Sequence, residues 1–255
     1  MKKLIVANWK MHPDTLASAR RLFEHSLRAA VQAKSLEVVI CTPTVYLAGL
    51  PKLSKGNTTL GVQDIFWADH GAYTGEVGPK MAKSAGALYT IVGHSERRAL
   101  AGDTDEIVAK KVRLALASGL RPIVCVGELE RSGDGSGAVF VKHQLQKSLQ
   151  SVSKNYASRL IIAYEPVWAI SSHKPTALDT PEATLEMALY IRRVLHALYG
   201  SAIAKNIRVL YGGSVNAKNG PKFLTAGGVD GLLVGHASTQ ADEFASLLRL
   251  ANELS

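Results

Sequence analysis

Five short stretches carry side chains that could move a proton and hold an anion. In "AYEPVWAI" an apolar run ends at Tyr164, and Glu165 follows, fixed in place by Pro166. In "IVGHSERR" an apolar run gives way to His94, Ser95 and Glu96. "LIVANWKM" ends its run before Asn8 and Lys10, "YGGSVN" places Gly212, Gly213 and Ser214 after another, and "DGLLVGH" places Gly235 and His236 after a last one. A carboxylate can take a proton from a carbon beside a carbonyl. An imidazole, a lysine or an amide can stabilise the oxygen on which charge then develops. Gly-rich turns let backbone N–H groups approach a phosphate. Each residue alone has a plainer reading: a solvated lysine, a structural histidine, a loop glutamate, a tight turn, or Glu96 in a rim ion pair with Arg97 or Arg98. What they share is a position just after a strand-like run.

The elements that must position them alternate along the whole chain. Apolar, β-branched runs predict strands at Lys3–Ala7, Glu37–Cys41, Thr59–Val62, Tyr89–Val92, Pro122–Val126, Leu160–Tyr164, Ile207–Tyr211 and Gly231–Val234. Amphipathic patterns predict helices at Thr15–Gln32, Val45–Leu53, Pro79–Ser84, Thr104–Ser118, Gly137–Val152, Pro181–Leu198, Ala217–Thr225 and Gln240–Asn252. Asp103, with Glu106 three residues on, reads as the cap of the fourth, and Thr180 with Pro181 opens the sixth. Strands such as "LIIAY" and "PIVCV" are apolar on both faces, as buried parallel strands are. Eight such units without a break in composition predict an α/β fold, a single (β/α)8 barrel of parallel strands over residues 1–255, with its chemistry at the carboxyl ends of the strands. An open doubly wound sheet is the rival, but the first strand–helix turn, "ANWKMHPD", lacks a Gly-rich phosphate fingerprint.

Composition narrows the function. The chain has 255 residues, 47% apolar and 20% charged, which suits a globular protein with a sizeable core. No apolar run is long enough for a membrane span, and the start lacks a signal-peptide core. Cys41 and Cys125 are the only cysteines, too few for a disulfide framework or a zinc site, which fits a reducing cytoplasm. The net charge of +9 is dispersed over the helices, so it predicts attraction for anionic small molecules rather than a nucleic-acid surface.

"ANWKM", "GAYTGEVGP", "IVGHSERR", "PIVCVGE", "AYEPVWAI", "YGGSVN" and "DGLLVG", in this order and from end to end of the chain, resemble the triosephosphate isomerases. The resemblance implies interconversion of dihydroxyacetone phosphate and glyceraldehyde 3-phosphate through an enediolate, in glycolysis and gluconeogenesis, without metal or cofactor. It implies Glu165 as base, a neutral His94 as electrophile, Lys10 and Asn8 beside them, and Glu96 in support. Ser171, Gly213, Ser214, Gly235 and His236 would cradle the phosphate. The segment from Pro166 to about Ala177 would be a lid hinged by Trp168. Thr74 and Gly75, on a loop projecting into a second subunit, would brace that subunit's Lys10 and His94, so a homodimer is expected.

Four departures stand out. The family's usual "KMN" is "KMH" here, which places His12 near the expected interface, and Asp64 stands where Asn is common. The usual Gly-Gly after the last strand is Gly235-His236. The lid reads "ISSHKPTALDTPE", with Ser171 and His173 in place of glycines. A related barrel enzyme for another sugar phosphate and a non-catalytic binding protein are the alternatives; the complete catalytic set disfavours the second.

Overall fold

A computed structural model describes residues 1–51, 56–131, 134–170 and 179–254. Its strands form a closed parallel barrel in chain order, β1 to β8, with β8 pairing back onto β1. β1 (Lys3–Asn8) leads to α1 (Leu16–Gln32), β2 (Leu36–Thr42) to α2 (Thr44–Leu47), and β3 (Thr58–Val62) to α3 (Pro79–Ala85). β4 (Tyr89–Val92) is followed by α4 (Ser95–Leu100) and α5 (Asp105–Ala117), and β5 (Arg121–Val126) by α6 (Ser136–Leu149) and α7 (Lys154–Ala157). β6 (Ile161–Tyr164) precedes α8 (Pro181–Tyr199) and α9 (Ser201–Ala204), β7 (Arg208–Tyr211) precedes α10 (Gly220–Ala226), and β8 (Gly231–Val234) precedes α11 (Ala241–Asn252). All eight strands fall where the sequence places them.

Alternation along the strands divides the core in two. Leu4, Val6, Val39, Cys41, Ile91, Ile123, Cys125, Ile161, Ala163, Leu210 and Leu233 pack inside the barrel. Their neighbours, among them Ile5, Ala7, Val38, Ile40, Val124 and Ile162, pack outward against the helices. Both faces are buried, which is why the strands read as continuous apolar runs rather than as alternating ones.

The short helices α4, α7 and α9 are additional to those expected and α6 stops at Leu149 instead of Val152, while three further departures have a local reason. α5 is capped by Thr104, whose hydroxyl accepts from Ile107 N–H, and not by Asp103. The Asp103 carboxylate is instead drawn to Lys111 Nζ at 2.9 Å. α2 ends at Leu47 and passes into i→i+3 turns at Gly49 and Leu50 ahead of Pro51, while residues 52 and 53 of the expected helix lie outside the described residues. α10 starts three residues late because Asn216 Oδ1 accepts from the N–H groups of Lys218 and Asn219, a turn that holds the backbone out of the helix.

Two charged clusters brace the barrel. Lys111, 2% exposed, places Nζ 2.8 Å from Asp64 and 2.9 Å from Asp103, and Arg97 Nε meets the same two carboxylates at 2.9 and 3.1 Å. Burial raises Asp64 to about 6, against the pull of Lys111 and Arg97. At the amino end of the barrel Glu37 accepts from Tyr89 Oη and lies 2.6 Å from Arg208 Nη1 and 3.7 Å from Arg121 Nη1. Burial works to raise Glu37, but the hydrogen bonds from Tyr89 and Arg208 and the charges of Arg208 and Arg121 outweigh it and hold the carboxyl below its ordinary value.

Lys111→Met leaves the buried Asp103 and the half-buried Asp64 to Arg97 alone, so it is expected to cost about 3 kcal/mol in a urea titration. A loss within the error of the titration would show that Arg97 alone satisfies both acids. Glu37 has a folded pKa below its unfolded one, so its contribution is present above about pH 4.3 and lost as pH falls through the folded value. Glu37→Gln is therefore expected to lower stability at neutral pH and to flatten the decline of melting temperature in acid; an unchanged acid limb would remove Glu37 from that linkage.

Candidate active site

The same alternation that fills the barrel selects the groups that face its carboxyl end. Leu4 and Val6 face inward on β1, so Asn8 does too; Ile161 and Ala163 face inward on β6, and Glu165 comes next in that register. On β5, β7 and β8 the corresponding positions are Gly127, Gly212 and Gly235. The top layer is thus largely free of side chains, and a cavity of about 630 Å³ opens above Leu233. Two of the glycines are also forced by contact with the sixth strand. A Cβ on Gly127 would sit 1.7 Å from the carbonyl oxygen of Glu165, and one on Gly212 would sit 3.0 Å from its Cγ.

Glu165 is 2% exposed. Its Oε2 accepts from Ser95 N–H at 3.0 Å, and its Oε1 lies 3.1 Å from His94 Nε2. His94 caps α4, and its Nδ1 accepts from Glu96 N–H at 3.2 Å. A nitrogen that accepts cannot also carry a proton, so the ring is neutral with its hydrogen on Nε2, directed at Glu165. Lys10 enters from the first strand–helix loop with φ 53°, the one non-glycine residue with positive φ among those described. That conformation costs about 1 kcal/mol and is held by the bond from Lys10 N–H to Asn8 Oδ1. Lys10 Nζ meets Glu96 Oε1 at 2.5 Å.

The structure brings Asn8, Lys10, His94, Glu165, Gly213, Ser214, Gly235 and His236 onto one cavity. Glu96 reaches it through Lys10. Ser214 Oγ donates to Ala169 O at 2.8 Å, so its hydroxyl is engaged with the segment after β6. Thr74 and Gly75 do not line the cavity; they lie exposed in the 65–78 segment, where Phe66, Trp67 and Tyr73 pack against one another in tilted and edge-on contacts. Ser171 and His173 fall outside the described residues.

Three contributors were not assigned from sequence. Ser95 acts through its backbone N–H, which no residue type signals. Gly127 matters through a carbonyl contact with Glu165. Glu128, which ends "PIVCVGE", accepts from Tyr164 Oη at 2.8 Å and from Trp168 Nε1 at 2.7 Å. Burial raises its pKa, partly offset by these two hydrogen bonds. An acid directly after a strand was the available signal for Glu128. The described part of the expected lid begins with a 3-10 turn at Val167–Ala169, pinned by that indole bond. Burial also pushes the Cys125 thiol well above its ordinary value, with the Glu165 charge adding to the effect, so it is not a nucleophile.

The family model described as triosephosphate isomerase matches residues 3–251. A triosephosphate isomerase from Caldanaerobacter subterraneus subsp. tengcongensis is 42% identical over 97% of this chain and 98% of its own length. One from Thermus thermophilus is 42% identical over 98% of this chain and 100% of its own. The crystal structure of triosephosphate isomerase from Bartonella henselae superposes with a TM-score of 0.82 at 34% identity, covering 98% of this chain and 99% of that one. With a match across nearly its whole length, the chain belongs to the triosephosphate isomerase family.

Proposed function

We propose that this chain interconverts dihydroxyacetone phosphate and D-glyceraldehyde 3-phosphate, with Glu165 as the base. The observation that carries this reading is the buried carboxylate of Glu165, held by Ser95 N–H and facing a neutral imidazole at 3.1 Å on the wall of the cavity. A proton on the carbon beside a carbonyl is weakly acidic. Its removal needs a desolvated, well-aimed base and a donor at the oxygen that becomes negative. Glu165 removes the proton from one carbon and returns it to the next. His94 Nε2–H hydrogen-bonds the oxygen of the enediolate. Lys10, kept in place by Glu96, balances the negative charge, and Asn8 adds a hydrogen bond beside it. The phosphate is held by Ser214 and by the backbone N–H groups of Gly213, Gly235 and His236; Ser171 is carried over by resemblance alone.

The likeness to triosephosphate isomerases also supports a homodimer in which Thr74 and Gly75 reach the second subunit's site. Consistent with this, large apolar side chains stand in solvent after each of the first four strands: Met11, 90% exposed, then Val45, Tyr73 and Leu100. These four follow consecutive strands of the ring, and Leu129 stands exposed after the fifth.

A coupled assay in both directions tests the reaction. Glu165→Gln keeps the shape and removes the base, so kcat is expected to fall by about 100- to 10,000-fold with little change in KM. Near wild-type turnover would take Glu165 out of the mechanism. For the assembly, specific activity is expected to fall on dilution in step with the dimer fraction measured by sedimentation, and full activity as a monomer would overturn the bracing role of Thr74 and Gly75.

A further inference from the structure

We propose that the His236 imidazole is a second cationic contact for the substrate phosphate, one that takes up a proton from solvent as the dianion binds. The inference rests on the function proposed above for the identity of the anion. It starts from the charges on the cavity wall. Among the described residues that line it, the basic side chains are Lys10, His94 and His236. Lys10 shares its charge with Glu96, whose Oε1 lies 2.5 Å from its Nζ. His94 has its Nδ1 filled by Glu96 N–H and its Nε2 facing Glu165. Glu165, Asp242 and Glu243 add carboxylates to the same wall, and among the described residues Glu243 accepts from Ala217 N–H alone. A phosphate dianion entering this cavity meets more fixed negative than free positive charge.

His236 is the one of the three whose ring has no hydrogen bond or ion pair with a described residue. It is exposed, and its backbone is pinned, because its carbonyl accepts from Thr239 Oγ1 at 2.8 Å. The side chain is therefore free to turn while its Cα stays at the mouth of the cavity. Imidazole is also the side chain whose charge changes most readily near neutral pH. Binding of a dianion favours the protonated ring, so affinity rises as pH falls. Protonation of Glu165, Asp242, Glu243 or Glu96 would shift affinity in the same direction, and Lys10 and His94 share the cavity. The contribution of His236 is thus the difference between the wild type and a variant.

Sulfate isolates this linkage because it stays a dianion across the range. Calorimetric titration with sulfate near neutral pH, in buffers of different ionisation enthalpy, is expected to show proton uptake by the wild-type protein. His236→Gln is expected to reduce that uptake and to weaken sulfate about tenfold, the lower end of the scale for a hydrogen bond to a charged group. His236→Lys is expected to restore affinity without restoring uptake. In the coupled assay His236→Gln should raise KM for triose phosphate more than it alters kcat. Equal proton uptake and equal sulfate affinity in wild type and His236→Gln would overturn the proposal. A wild-type chain without triose phosphate turnover would overturn the function proposed above, whereas the sulfate titration bears on His236 alone.

Discussion

Closure of the sheet through the β1–β8 pair is the constraint on which the rest of the molecule depends. Leu4 pairs with Gly231 and Ala7 with Val234, and the approach is so close that a Cβ on Gly231 would lie 1.8 Å from the carbonyl oxygen of Leu4. A parallel ring has no free edge, and all its strands end on the same side. Residues as far apart in the chain as Asn8, His94, Glu165 and His236 meet on one cavity for that reason. Without the last pairing, the site would be split between the two ends of an open sheet.

Within the ring, depth assigns the work. The amino end is filled by the Glu37, Tyr89, Arg121 and Arg208 cluster, in which two guanidinium groups share one carboxylate. The middle is apolar. The carboxyl end is kept open by glycines on β5, β7 and β8, with a carboxylate and an amide projecting between them. Stability and binding therefore draw on different layers of the same strands. The Lys111 cluster serves a similar supporting role outside the barrel, linking the loops after β3 and β4 to α5.

The strands and the rim were legible in the sequence because two-sided burial writes itself as continuous apolar runs. The residues just beyond each run must then lie at the rim, which is how Asn8, Lys10, His94 and Glu165 stood out. Other features escaped because they depend on main-chain atoms or on distant partners. The N–H of Ser95 is a donor of every residue type. Asp103 had the right spacing for a cap, but Lys111, eight residues on, competes for the same carboxylate. Glu128 gains its place only when Tyr164 and Trp168 are folded over it. The short extent of α2 is due to turns around Gly49, where local hydrogen bonding overrides the amphipathic pattern.

The contact between Gly127 and the carbonyl of Glu165 has a consequence for redesign. It fixes the seam between the fifth and sixth strands by backbone fit, so the carboxylate starts from a datum that neighbouring side chains do not set. Enlarging residue 127 would move the main chain under the base and shift the whole reaction coordinate at once. The opposite wall is set by side chains instead: Asn216, Gln240 and Asp242 line the cavity there from loops and a helix start. A scaffold built this way can be re-aimed at longer or differently charged molecules by editing that wall, while its proton-transfer geometry is inherited unchanged.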